Sequence, residues 1–399
     1  MASINTRKRG ITWEYRFETA KVDGKRKQVS KGGYRTKKEA LEAGTKALAE
    51  YNNSGLVFEP TNISISDYMD YWMEHYVLVN CKYNTVCCYK NIVEKHIKPD
   101  LGLYKLSSLT PTICQQFINS KFKNGYSKNH LTNIMCVLTN SLNYAVQPCE
   151  FIRFSPAAYI KKPKYEQNTD KKKILNLDQF NQIIQRFPEY TSFYISLMIG
   201  FHAGLHISEV MALTWDDIDF DNGTLSVNKI LIKKDGSWYF GTPKTHASLR
   251  TIQIGETLIT ALRHQKKWQL ENSLHYGSHL TRHYLNSDNN ITSVNIELPI
   301  QQLYFVNTKE NGDLLTPESM KYTARVIHYD LNIDFNFHSL RHTHATMLIE
   351  SGANIKDVQT RLGHTDVKTT LNTYTHDTEF MKKETVDLFE QKIKALSTN

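Results

Sequence analysis

The chain has 399 residues, 40% of them hydrophobic, with 49 Lys plus Arg against 40 Asp plus Glu, a formal net charge of +9 and a pI of about 9.0. That length allows two to four domains at about 100–200 residues each. The apolar fraction excludes wholesale disorder, and the charge favours a polyanionic partner, nucleic acid above all, with an ordinary basic soluble protein as the plain alternative. No apolar run reaches the length of about 18 residues that a membrane span needs. Cys81, Cys87, Cys88, Cys114, Cys136 and Cys149 show no CxxC spacing and follow no signal peptide, so they read as reduced thiols of a cytosolic protein, several of them in a helical core, and not as a metal site.

Residues 1–60 read as a small basic unit. TWEYRFETA alternates like a strand, DGKRK supplies a turn and KQVSKGGY is a second strand. Thr36 then caps the helix TKKEALEAGTKALAEY, with Glu39 at the reciprocal capping position. Arg7, Lys8, Arg9, Arg16, Lys25, Arg26, Lys27, Lys31 and Arg35 interleave with Trp13, Tyr15, Phe17 and Tyr34. A small twisted sheet with basic and aromatic faces suits a DNA groove. The competing reading is a solvated hairpin whose aromatics pack on the helix. SGLVFEP closes the unit as a linker.

Residues 61–165 read as all-helical. Thr61 or Ser64 opens SISDYMDYWMEHYVLV; YNTVCCYKNIVEKHIKPDLG, SLTPTICQQFINSKF and SKNHLTNIMCVLTNSLNYAVQ follow, with apolar residues recurring at three and four. Pro99, Gly102, Pro111 and Gly125 are expected between helices, which predicts a four- to five-helix bundle. A charged, apolar-poor linker follows at 166–173, within KKPKYEQNTDKKK.

Residues 174–399 are mixed. A helix LDQFNQIIQRF starts at Leu177, and TSFYISLMIGFHAGLHISEVMALT reads as a second. WDDIDFDNGTLSV is a turn and strand. ILIKKDGSWYFGTPKTHASLRTIQI reads as strands joined at Asp235–Gly236 and Thr242–Pro243. Residues 256–271 are helical, 272–300 are polar and carry no assignment, and YFVNTKENGDLL is a short hairpin before a helix at Pro317–Tyr329. A C-terminal segment carries a stripe, Phe380, Met381, Val386, Leu388, Phe389, Ile393 and Leu396, suited to self-packing or to docking on a partner.

The densest chemistry lies in FHSLRHTHATMLIESGANIKDVQTRLGHTDVKTTLNTYTH. His338 and Arg341 are three apart and share a helix face; Gly363 and His364 mark a break, and Tyr374 lies ten residues beyond His364. Arg forks onto two phosphate oxygens, His can give or take protons where charge changes, and Tyr can attack phosphorus and hold it covalently. His338-x₃-His342 also mimics a zinc-ligand pair. Ser339 stands where a zinc hydrolase would carry Glu, and Arg341 would repel a cation, so no metal is expected. His342 and His344 read as surface or satisfied structural groups.

This array resembles the signature of the tyrosine recombinase (phage-integrase-type) family, and the resemblance spans the chain. FHSLRHTHATMLIESG resembles the family's helix with a His, two residues, then an Arg. IKDVQTRLGHTDVKTTLNTYTH resembles its Leu-Gly-His box and nucleophilic Tyr. AGLHISEVMALTWDDID resembles the box of the first Arg, and TPKTHASLRTI the hairpin of the catalytic Lys. The amino-terminal unit is similar to the arm-site-binding domain of conjugative-transposon integrases, and the helical unit to their core-type DNA-binding domain.

The resemblance implies a multidomain α+β fold: a small sheet-plus-helix arm-binding domain, a helical core-binding domain, and a mixed, mainly helical catalytic domain with a C-terminal docking tail. It makes Arg341 the second family arginine, Lys244 the hairpin lysine, His338 and His364 the flanking histidines, Tyr374 the nucleophile and Glu209 a brace. It implies no cofactor. The implied partners are double-stranded DNA at core and arm sites, further copies of the chain as dimer and tetramer on DNA, and an accessory DNA-bending or excision factor. The implied location is the bacterial cytoplasm, on the nucleoid when acting. One position departs: His206 stands where the family has its first Arg. A His is shorter and cannot fork onto phosphate as Arg does, so a weakened catalyst is expected; alternatively an imidazolium at His206 reaches phosphate and activity survives. A DNA-binding protein that has lost its chemistry, and a type IB topoisomerase, are the rival readings.

Overall fold

The structure is a computed structural model that describes residues 4–19, 28–54, 62–165, 173–243, 245–374 and 390, with the side chains of 50, 52–54, 369 and 372–374 outside the description. The chain divides into two compact units, Met1–Asn168 and Thr169–Asn399.

The first unit begins with an antiparallel sheet of three strands in sequence order, β1 (Asn5–Arg9), β2 (Thr12–Glu18) and β3 (Gln28–Tyr34), followed by α1 (Lys37–Ser54). Strand β1 is absent from the sequence expectation, because NTRKR has no apolar alternation to announce it. Tyr15 and Phe17 lie two apart on one face of β2 and are 3% and 2% exposed, packed with Ala47 of α1. Tyr15 and Phe17 therefore build the core between the sheet and α1 instead of a DNA-facing surface, while Trp13 is half-buried. Arg7, Lys8, Arg9, Lys31 and Arg35 are exposed and Arg16 is half-buried, while Lys25, Arg26 and Lys27 lie outside the described residues. The Thr36 hydroxyl accepts from Glu39 N–H at 3.2 Å, whereas the Glu39 carboxylate accepts from Arg35 N–H at 3.1 Å, one residue before the expected reciprocal partner.

The helical part forms four rods. The first runs through α2 (Ile65–Trp72), a π turn (Met73–Val77) and α3 (Leu78–Asn80). The second runs through α4 (Tyr83–Ile92), a π turn (Val93–Ile97) and α5 (Lys98–Leu101). The others are α6 (Pro111–Lys123) and α7 (Lys128–Val146). Ser64, Thr110 and Ser127 cap α2, α6 and α7 by accepting from Asp67, Ile113 and His130 N–H, each contributing about 1 kcal/mol. Pro99 is not a break: it sits inside the second rod, directly after the π turn, where the ladder loses a donor and widens to accommodate it. Tyr68, Met69, Trp72, Ile97, Ile118 and Leu131 fill the core. Of the cysteines only Cys114 is fully buried.

The second unit opens with α8 (Leu177–Arg186), whose Asn176 and Gln179 form a full capping box. The single long helix expected next is two: α9 (Tyr194–Ala203) stops at Gly204, which adopts φ +66, and a one-turn helix α10 (Ile207–Val210) follows. Strands β4 (Ile218–Asp219), β5 (Thr224–Val227) and β8 (Arg250–Gln253) make one sheet, in that order. Strands β6 (Ile230–Lys234) and β7 (Ser237–Gly241) join a second sheet with β9 (Arg282–Leu285), β10 (Asn290–Val294) and β11 (Gln302–Leu303), ordered β11-β9-β10-β7-β6. Among the described residues β7 and β8 therefore do not pair with each other, although the sequence pattern joins them by a turn at Thr242–Pro243. The free edge of β7 is taken by β10, with Asn290 opposite Tyr239, so β8 pairs with β5 instead. Strands β9 and β10 occupy the stretch that carries no sequence assignment. The long helix α11 (Glu256–Tyr276) and then α12 (Ser319–Leu331), α13 (Phe337–Glu350), α14 (Ile355–Leu362) and α15 (Val367–Tyr374) complete the described unit. Helix α9 is buried nearly all round, the mark of a central helix, and α13 packs along it. The C-terminal stripe from Phe380 to Leu396 lies outside the described residues. No helix among the described residues is long and apolar enough to cross a membrane.

Candidate active site

Arg341, on α13, is the residue around which the site assembles. Its side chain is almost fully buried, the residue being 1% exposed. A buried guanidinium is tolerated only where hydrogen bonds replace water. Here Nη1 donates to Gly204 O at 2.8 Å and Nη2 to Leu362 O at 2.7 Å. Gly204 caps the end of α9 and Leu362 is the last residue of α14. Helix ends leave carbonyls without intrahelical donors and carry partial negative charge, so two helix C-termini converge on one cation.

His206 follows two residues after that glycine, at the N-cap of α10, and its backbone N–H donates to Glu209 Oε2 at 3.0 Å. Its ring stacks on that of His338 with centroids 5.3 Å apart and planes 12° from parallel. His338 in turn meets His342, one helical turn on, edge to face at 4.4 Å. His206 and His338 both keep exposed surface, and the Arg341 charge acts on each ring. Burial first and the Arg341 charge second push His206 down to about 3, and the same two causes lower His338. His364, just after the end of α14, is pushed down to about 4 by burial, then Arg341, then Arg250; its Nδ1 lies 2.9 Å from Thr370 Oγ1 on α15. All three rings are therefore neutral at pH 7 and able to accept a proton, and a bound phosphate would raise them.

The structure thus brings Arg341, His338, His206 and His364 around the ends of α9 and α14. Tyr374 is the last residue of α15, with only its backbone described, and Lys244 lies outside the described residues. Glu209 is 4% exposed and both its oxygens are held by Arg250, at 3.1 and 3.0 Å. Burial raises its carboxyl, but the Arg250 hydrogen bonds and charge outweigh burial, so the carboxyl ends below the usual range. His344 is structural, as expected: its Nε2 accepts from Arg361 Nε at 3.0 Å, and burial and Arg361 push it down to about 4.

Two residues of this neighbourhood escape the sequence reading. Arg250 Nε donates to Arg361 O at 2.7 Å, and Arg361 donates to His202 O at 3.2 Å and Gln253 O at 2.7 Å. Three arginines thereby serve the carbonyls at the ends of α9 and α14. A signal for Arg250 exists in the sequence: it lies at period two with Ile252 of β8 and with Ile254 just beyond the strand, both buried.

Residues 173–380 match the phage integrase family, 64–122 match the phage integrase N-terminal SAM-like domain, and 3–51 match an arm DNA-binding domain. The chain is similar to a tyrosine recombinase XerC-like protein of Caldanaerobacter subterraneus subsp. tengcongensis, 27% identical over 357 residues that cover 86% of each protein. It is similar to the ICEBs1 integrase of Bacillus subtilis, 28% identical over 373 residues, 88% of this chain and 89% of that one. Among solved structures, its fold is similar to that of the Tn1549 transposon integrase in complex with transposon right end DNA, with a TM-score of 0.66 and 21% identity over 82% of this chain and 99% of the other.

Proposed function

The chain belongs to the phage integrase family, and from that premise we propose that it is a site-specific DNA recombinase of a mobile element that cuts and rejoins strands through a 3′-phosphotyrosyl intermediate. The observation that carries the proposal is the convergence of Arg341, His206, His338 and His364 on the paired helix ends of a domain that matches the family from 173 to 380.

In the proposed reaction the Tyr374 phenol attacks the scissile phosphorus. The phenol oxygen–phosphorus bond forms, the bond from phosphorus to the 5′-oxygen breaks, and Lys244 protonates the departing oxygen. A phenol has an ordinary pKa of about 10, so attack needs a base and nearby positive charge; in the proposed step a neutral His338 or His364 takes the proton. The Arg341 charge grows in value as negative charge builds on the phosphoryl oxygens. The covalent link keeps the energy of the phosphodiester, so a hydroxyl from a second strand reverses the step without nucleotide hydrolysis. The arm domain would hold a second DNA segment, two copies would occupy each crossover site, and four would form the active assembly, with an accessory DNA-bending or excision factor as a further partner.

His206 in place of an arginine favours a weakened catalyst. A DNA-binding protein without chemistry is the second reading, and that substitution is what favours it. The test is strand exchange between two attachment-site duplexes. Recombinant products that require both sites support the proposal; DNA binding with no cleavage supports the second reading. Relaxation of supercoiled plasmid lacking any site would point instead to a topoisomerase.

A further inference from the structure

We propose that Arg250 is a positioning residue for strand cleavage, holding three separate segments of the site in register through one buried fork; the inference rests on the recombinase reading above. Its Nη1 and Nη2 bind both oxygens of Glu209, its Nη1 also donates to Ser248 O at 3.0 Å, and its Nε donates to Arg361 O. Each contact belongs to a different segment. Glu209 holds the His206 N–H, so it fixes the turn that presents His206. Ser248 lies in the stretch that leads from Lys244 into β8. Arg361 precedes Leu362, Gly363 and His364.

Arg341 spans two of the same segments, from Gly204 O to Leu362 O. The turn at 204–209 and the end of α14 are thus bridged twice, once by each arginine. The two differ in what surrounds them. The Arg341 bridge lies among His206, His338 and His364. Arg250 forms a closed ion pair, with side chains 5% and 4% exposed, and lies behind the turn. Its role is therefore exerted through the segments it holds.

The packing at Gly363 supports the same reading from another direction. A Cβ there would lie 3.0 Å from Ala247 O and 3.1 Å from Arg250 Nη1, at φ +73. The glycine lets the His364 segment press against the segment that follows Lys244, with the Arg250 guanidinium at the contact. The ion pair has an electrostatic consequence too. With Arg250 in place, Glu209 presents a neutral pair to the phosphate; without it, a buried carboxylate would repel phosphate next to Arg341.

Arg250→Lys keeps the charge but not the fork, and Arg250→Gln removes the charge. Both are made in the full chain and assayed for cleavage of a suicide substrate, DNA affinity, thermal midpoint and imidazole titration by NMR. For Arg250→Lys, cleavage is expected to fall roughly 10²-fold, the effect of a small misplacement at a reacting centre, with affinity and midpoint near wild type. In Arg250→Gln, His206 and His364 are expected to titrate at higher pH while His338 stays in place, because the Arg250 charge acts on the first two rings and not on the third. Wild-type cleavage by Arg250→Lys, or loss of rate, affinity and midpoint in parallel, overturns the proposal, as do three histidines that shift together. Should Arg250→Gln fail to fold, the Arg250→Lys results decide. If wild type forms no Tyr374-dependent adduct, the recombinase reading fails, while the histidine titrations still test whether Arg250 acts on those two segments.

Discussion

Arg341 is buried because two helix ends supply the acceptors that water otherwise would, and the same burial concentrates its charge on the neighbouring imidazoles. His206 sits in that field, at the position where the proposed function sets it in place of an arginine. Restoring it, as His206→Arg, is expected to raise cleavage of a nicked attachment-site duplex by roughly 10²–10³, the worth of one charged donor at a transition state; equal rates for the two proteins would show that the histidine suffices. The depressed histidines also set an acid limit on stability. His344 is held near 4 in the folded chain, below its ordinary 6.5. Between those values the unfolded chain binds the extra proton, so stability contributed by the neutral ring is present above pH 6.5 and is lost as pH falls toward 4. The thermal midpoint of wild type is expected to drop across that window, with a shallower drop for His344→Gln; parallel curves would contradict the assignment. At this scale Arg341 and His338 were legible because a helix puts residues three apart on one face. Arg250 and Arg361 were not, because their partners are backbone carbonyls and a carboxylate distant in sequence.

The element that most shapes the site is the interruption at Gly204. Its φ of +66 ends α9, its carbonyl receives Arg341, and a Cβ on it would lie 2.6 Å from His344 Cδ2. Gly204→Ala meets both a left-handed backbone and a crowded neighbour, so destabilisation of at least roughly 1–3 kcal/mol is expected. Urea unfolding measures it, and an unchanged midpoint would contradict the packing described here. The sequence pattern runs apolar residues through this point without a break, which is why one long helix was expected. Strand pairing is hidden for a similar reason: β7 finds β10, about fifty residues away, and local spacing carries no information about such pairing. The cap at Ser64, one of the two starts the sequence offers for that helix, is local and readable directly.

Across the molecule, the exposed cations of the amino-terminal sheet and the net charge of +9 fit a protein that follows a phosphate backbone. Affinity for DNA is expected to fall with salt at a slope of about −0.9 per phosphate neutralised. Removing an exposed contact, as in Arg7→Ala or Lys31→Ala, should reduce that slope by about one; a slope near zero would remove the electrostatic part of the account. The succession of a small sheet with its helix, a run of helices and a mixed part was legible because their hydrophobic periods differ. The contacts that join Arg341 to Gly204 and Leu362 were not, since they run between elements far apart in sequence. The most direct test is to trap the chain on a suicide substrate, digest the adduct, and locate the nucleotide by mass spectrometry. A 3′-phosphonucleotide on the peptide containing Tyr374, lost in Tyr374→Phe, is the expected result; an adduct on another residue, or cleavage by Tyr374→Phe, would contradict the proposed mechanism.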